Sequence, residues 1–271
     1  MAPEAAQEEF MIRVLYYHRR YILQNAWSDL RYRYAGSGLG VIWNVLSPLA
    51  QILVYTAVFT RIMAVKLPGL TSEFGFPLYL CSGFLPWMAF SECVGRGANS
   101  FLENAQYLKK MPIPEQVFVA QTAMSATMSL FISLILLSLL ALIVGSQPTW
   151  LWLLLPLVAI LFQGFGFGLG LLLSSLNVFF RDIGQLLGIF LQIWMWMTPV
   201  VYLETILPEG LRLPMKFNPA YPFIHTTQEI FLFNRLPAGW MWWGMVGWAV
   251  GISALGYLVL RKLRPEIRDV L

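Results

Sequence analysis

From Gln116 to Phe180 the chain carries no Asp, Glu, Lys or Arg; one Arg181-Asp182 pair follows, and the charge-free run resumes from Ile183 to Leu203. A charge at the centre of a bilayer helix costs about 2.5–3.5 kcal/mol on insertion scales, so two adjacent charges belong at an interface. The pair therefore marks a turn between two membrane-crossing helices. Asp182 can accept from first-turn amides while Gln185 reaches back, which predicts a capping box at the start of the second helix. Along the whole chain the apolar blocks predict six helical spans. The first three run from about 38 to 59 (kinked at Pro48), 76 to 94 (with Pro77 and Pro86) and 115 to 144. The others run from about 150 to 176, 183 to 202 (broken near its end by Pro199) and 239 to 260, the last closed by Arg261-Lys262-Leu263-Arg264. Barrel strands, at about 10 alternating residues each, do not fit runs of this length.

The segments outside the spans have patterns of their own. In residues 9–34, Phe10, Met11, Val14, Leu15, Tyr21 and Ile22 gather on one side of a helix and Arg13, Arg20 and Gln24 on the other, with the phase lost near Asn25. Trp27, Leu30, Tyr32 and Tyr34, among Arg31 and Arg33, continue it at a different angle. A basic amphipathic helix with interfacial Trp and Tyr lies in the plane of the headgroups. Between the second and third spans, Lys109-Lys110-Met111-Pro112-Ile113-Pro114-Glu115 forms a basic connection whose prolines end one helix and set up another. In the fourth span Gly164, Gly166, Gly168 and Gly170 form two overlapping GxxxG patterns that let helix backbones approach closely. No lysine or hydroxyl follows them as a nucleotide-binding loop requires. Residues 203–237 are too charged to cross the membrane and too apolar to be disordered.

Composition agrees: 58% of residues are hydrophobic and 12% charged, against about 25% charged in an ordinary soluble domain. No signal peptide is expected, since Met1 to Phe10 hold glutamates and no basic residue. The net charge of +4 matters through its distribution. Arg13, Arg19, Arg20, Arg31, Arg33, Arg96, Lys109, Lys110, Arg181, Arg261, Lys262, Arg264 and Arg268 fall on one side of a six-span arrangement. Arg61, Lys66, Arg212, Lys216 and Arg235 fall on the other. The positive-inside rule then places both termini in the cytoplasm. Cys81 and Cys93, about 18 Å apart on one helix, cannot pair within it, and His18 and His225 have no ligand-spaced neighbours, so no metal site is expected.

A membrane enzyme acting on lipid-linked sugars would need positioned carboxylates, and nothing in the spacing of Glu204, Glu209 and Glu229 marks a catalytic pair. Ion-coupled carriers keep ionisable groups within their spans, whereas this chain keeps its charges at the span ends. A passive pore stays open, but a permease driven by a separate motor accounts better for the basic, proline-bounded connection.

Five stretches resemble a known family: Arg31-Tyr32-Arg33-Tyr34-Ala35-Gly36-Ser37-Gly38-Leu39-Gly40 before Trp43 and Pro48; Ser82-Gly83-Phe84-Leu85-Pro86-Trp87; Leu176-Asn177-Val178-Phe179-Phe180-Arg181-Asp182; Thr198-Pro199-Val200-Val201-Tyr202; and Phe217-Asn218-Pro219-Ala220-Tyr221-Pro222. Together they look like the membrane subunit of polysaccharide ABC exporters, the permeases for O-antigen, teichoic acid and capsule, over about residues 25–265. The resemblance implies an all-α polytopic membrane protein of the bacterial inner membrane. It would have six transmembrane helices, an N-terminal amphipathic interface helix in segment 1–34, a transmembrane domain over 35–264, short re-entrant helices between spans five and six, and a tail from 265 to 271. It also implies partners: a second copy of the chain, two ABC ATPase subunits that hold ATP and Mg, membrane lipid and an undecaprenyl-diphosphate-linked polysaccharide, O-antigen first among the glycans. No cofactor in this chain and no nucleic acid are expected. The alternatives kept open are a lipid-linked-sugar enzyme and an exporter of lipid or drug.

On the same resemblance, Lys109, Lys110, Met111, Pro112, Ile113, Pro114 and Glu115, within a cytoplasmic segment 97–115, map onto a coupling helix seated in the ATPase. Arg13, Arg20, Trp27, Arg31 and Arg33 belong to the interface helix near substrate entry, and Asn177, Phe179, Phe180, Arg181 and Asp182 form the cytoplasmic turn. Pro199, Asn218, Pro219 and Tyr221 belong to the outer gate, in region 203–237. Sugar C–H faces stack on aromatic rings without fixed charge, so Trp194, Trp196 and Tyr202 are the expected channel aromatics.

Overall fold

The computed structural model describes residues 11–62, 72–204 and 207–270; Phe10, Lys66 and residues 205–206 of the outer region lie outside them. Among the described residues every regular element is helical: α1 (Met11–Tyr17), α2 (Arg19–Tyr32), α3 (Trp43–Ala57), α4 (Gly75–Glu103), α5 (Ala105–Lys110), α6 (Gln116–Ile143), α7 (Leu155–Asn177), α8 (Asp182–Trp196), α9 (Glu209–Lys216), α10 (Tyr221–Gln228) and α11 (Gly239–Val270). Among the described residues, four stretches are long and apolar enough to cross a membrane: Gly40–Ile62, Gln116–Ile143, Trp150–Asn177 and Gly239–Ile267.

The two other expected spans differ from their sequence pattern. α4 is 29 residues long and carries Glu92, Arg96 and Glu103 on its second half. α8 has 15 residues, about 22 Å of helix against a hydrocarbon core of about 30 Å. It stops at Trp196 because the approach to Pro199 disfavours helical backbone, and the chain turns through residues 197–202. α11, by contrast, runs past Leu260 and carries the basic cluster on to Val270.

α7 is the central helix, packed against α4, α6 and α11. Residues two apart on a helix point to nearly opposite sides, so the two overlapping glycine patterns serve different partners. Gly168 meets α11: a Cβ there would lie 2.5 Å from the Ser253 backbone nitrogen. Gly166 and Gly170 meet α4, where a Cβ on Gly170 would lie 3.2 Å from the Cα of Gly97. Above this contact Phe90 of α4 stacks on Phe162 and Phe165 of α7, with ring centroids 4.4 and 5.4 Å apart. Phe162 in turn stacks on Phe223 of α10 at 4.8 Å.

The N-terminal helix breaks at His18, not near Asn25. Its buried face continues through Ile22, Ala26 and Leu30 without loss of phase; Ala26, which a count of large apolar residues passes over, is fully buried. Val14 and Ile22 pack on Val117, Ala120 and Met124 of α6. Trp27 and Tyr32 remain exposed, at 61% and 63%.

Candidate functional site

Between α4 and α8 lies a groove of about 620 Å³ whose lining includes Phe84, Trp87, Glu92, Arg96, Asn99 and Gln192. α8 is thinly covered. Within it only Leu187 and Leu191 are buried, while Leu186, Ile189, Phe190, Ile193 and Trp196 are more than half exposed. Asn177, fully buried at the end of α7, fixes the N-terminal end of α8. Its amide donates to the Ala98 carbonyl at 3.0 Å and to Asn99 Oδ1 at 3.1 Å, and its Oδ1 accepts from the Gly184 N–H at 3.2 Å. This replaces the expected capping box. The helix already begins at Asp182, so that carboxylate sits in the first turn and makes no capping hydrogen bond. In the same turn Phe179 tucks into the core beside Val178, whereas Phe180, Arg181 and Asp182 face outward.

The wall of this groove carries a network of four charges. Arg96 on α4 forks onto Asp29 of α2, with 2.9 and 2.8 Å contacts to its two oxygens. Glu92 takes Arg96 at 3.1 Å and Arg33 at 2.6 Å. Ser125 of α6 donates to Asp29 at 2.5 Å and accepts from Arg33 at 3.1 Å. Burial alone would raise the Asp29 carboxyl; hydrogen bonds from Arg96 and Ser125 and the charges of both arginines outweigh it and hold the group below its ordinary range. The stabilisation tied to that lowered value is complete at neutral pH and is lost only as acid protonates the folded carboxylate. Glu92 and Arg96, four residues apart on α4, thus form one edge of a clamp joining α2, α4 and α6. Replacing Asp29 by Leu leaves both arginines competing for Glu92. With hydrogen bonds to charged groups each worth about 1.5–3 kcal/mol, discounted here for partial exposure, the expected result is release of α2. Faster amide exchange over residues 19–32 checks it; unchanged exchange would show that apolar packing alone holds the helix.

At the opposite end of the protein, polar bonds tie the loops together. Trp194 does not line the open groove; its ring packs among Trp87, Phe90 and Phe165, and its Nε1 donates to Asn218 at 2.7 Å. Asn218 also donates to Thr198 at 2.8 Å and accepts from the Ala220 N–H at 3.0 Å. The buried Pro199 carbonyl accepts from Gln228 at 3.1 Å. Tyr202 donates to the Trp196 carbonyl at 2.9 Å, and the buried Tyr221 to Glu204 at 2.8 Å. Trp196 is exposed, and Pro219 half-buried. α10 is buried along nearly its whole length, from Tyr221 to Gln228.

The connection before α6 is not one short helix over 109–115. The helix comes first, as α5, and ends at Lys110; Met111 is extended, and the two prolines carry the chain into α6. Lys109, Lys110, Met111 and Pro112 are exposed. Ile113 packs instead against the protein's own core beside Val14 and Val117, and Pro114 is half-buried beside it. Glu115, 1% exposed, sits 3.1 Å from Arg264 of α11, whose guanidinium also donates to Gln116 at 3.1 Å. Of the interface-helix candidates, only Arg33 joins the charge network; Arg13, Arg20, Trp27 and Arg31 project outward.

Residues 20–232 match the model of the ABC-2 type transporter family. The chain belongs to that family. Among its curated ABC-2 relatives, the O-antigen export system permease protein RfbA of Myxococcus xanthus is 34% identical over 84% of this chain and 86% of its own length. The protein of the same name from Klebsiella pneumoniae is 28% identical over 90% and 92%. The polysialic acid transport protein KpsM of Escherichia coli is 27% identical over 31% of each chain. Within this ABC-2 chain, sequence reading missed Asp29 and Ser125. The available signal was that Asp29 is the one acidic residue between Glu9 and Glu73, four residues before Arg33.

Proposed function

We propose that this chain is the membrane permease subunit of an ATP-driven exporter that moves an undecaprenyl-linked polysaccharide, of O-antigen type, across the bacterial inner membrane. The observation that carries this reading is the near full-length likeness to permeases named for O-antigen export. In this reading α3, α4, α6, α7, α11 and α8 with its following turn make six spans, both termini are cytoplasmic, and α9 and α10 form the re-entrant outer gate. ATP is hydrolysed in a separate partner chain, and this subunit transports without catalysing a reaction. Two copies pair so that their α4–α8 grooves face one channel. The exposed apolar side of α8 favours this, since so bare a face needs either lipid or a second copy. Phe84 supplies a ring along the groove on which a sugar face can slide.

Deleting the gene should trap finished lipid-linked glycan in the cytoplasm, and the intact gene should restore it to the surface. Surface glycan unchanged by the deletion refutes the reading. The contact with the ATPase falls to α5 and its exit, where Tyr107 and Met111 are 53% and 44% exposed. Met111→Asp is expected to leave expression normal while removing glycan-dependent ATP hydrolysis by the purified complex, because an unpaired charge in a partner's pocket costs several kcal/mol and in water almost none. Normal coupling in that variant would place the contact elsewhere.

A further inference from the structure

A second cavity, of about 310 Å³, lies between α3, α4 and α6 on the other side of the charge network. Asn44, Ser47 and Gln51 reach it from one face of α3, and Ser129 and Ser133, one turn apart, from α6. Both helices belong to stretches apolar enough to cross a membrane. Polar side chains that converge within such stretches mark a path for polar cargo rather than a surface for lipid. Ser133 donates to the Ser129 carbonyl at 3.0 Å, while the buried Ser129 hydroxyl has no partner within the protein. Trp43 and Tyr34, with ring centroids 6.3 Å apart, add flat apolar surface to the same wall.

The charges select the occupant. Arg33 and Glu92 both line the cavity, but they satisfy each other at 2.6 Å, and Asp29 shares the arginine. What remains is a site of amides, hydroxyls and rings with balanced charge, suited to a hydroxyl-rich neutral sugar and poorly suited to a phosphate. Met88 and Glu92, one turn apart on α4, line both this cavity and the α4–α8 groove. Glu92 is gripped by Arg33 from one side and by Arg96 from the other.

We propose that the α3–α4–α6 cavity is a loading pocket for a sugar unit of the exported glycan, separated from the channel groove by Met88 and Glu92. This rests on the export reading above. Movement of those two side chains joins the cavities, and the same movement loosens the clamp on α2. Entry of sugar and release of the N-terminal helix are then one event.

Both native cysteines are buried, so a single introduced thiol reports by itself. The test uses the complex with its ATPase in inverted membrane vesicles without ATP. Vesicles from cells that make the lipid-linked glycan are compared with vesicles from cells in which its synthesis is blocked. N-ethylmaleimide labelling is followed at Ser133→Cys in the pocket and at Gln192→Cys in the groove. The glycan should slow labelling of Ser133→Cys about tenfold, as when nine-tenths of sites are filled. Protection of Gln192→Cys alone overturns the pocket and leaves the export reading standing, and so does failure of Ser133→Cys to react even in glycan-free vesicles. Protection of neither position overturns both.

Discussion

Arg264→Leu is expected to destabilise the folded protein by about 3–5 kcal/mol, the range for removing one member of a buried ion pair. The partner, Glu115, is 1% exposed and Arg264 only 14%, so water cannot take the place of the guanidinium beside the carboxylate. Substitution also removes the bond to Gln116 and loosens the start of α6 from the end of α11. That region packs as one cluster, with Leu108, Phe118, Leu260 and Ile267 buried together and Ile113 against them. The loss should therefore spread into the α5 connection. Thermal unfolding in detergent measures it, and the double variant Arg264→Leu, Glu115→Gln should regain part of the loss because the buried carboxylate charge that Arg264 offsets is then gone as well. A single variant as stable as the parent would show that the pair contributes nothing.

The second large effect is expected at Gly168. A Cβ there would sit 2.5 Å from the Ser253 nitrogen and 2.8 Å from the Ile252 carbonyl carbon. Both are backbone atoms that no rotamer change can move, so Gly168→Val must push α11 away from α7. Overpacking costs about 1–3 kcal/mol where side chains can adjust, and this contact lies at or beyond the upper end. Gly164, one turn earlier in the same pattern, meets only the Ala249 methyl at 3.8 Å; Gly164→Ala should be nearly neutral. Yields of folded, monodisperse protein compare the two directly. Equal tolerance at both positions would mean that the helices are not held at this separation.

The glycine pair shows where sequence reasoning stops. GxxxG spacing announced close helix contact, but Gly164 and Gly168 are equivalent on a linear pattern, and only the path of α11 across α7 makes one of them indispensable. Trp194 shows the same limit. Its place among aromatic residues on an apolar helix fits a channel wall as well as a core. The position of Asn218, which takes its N–H, decides for the core. Ile113 and Met111, two residues apart in one motif, separate into an inward and an outward side chain because α1 and α6 close over the first.

The helical class, the positions of the apolar blocks, the turn at Arg181-Asp182 and the family are all legible along the chain. These follow from local terms: the cost of charge in hydrocarbon, the period of apolar residues, and the backbone limits of proline. The packing of the helices, by contrast, brings Asp29, Arg33, Glu92 and Arg96 into one network, makes Asn177 rather than Asp182 the anchor of α8, and sets Glu115 against Arg264 of α11. Those contacts join residues far apart in the chain. Their partners are chosen by where helices cross, and a pattern read along one helix carries no information about the crossing.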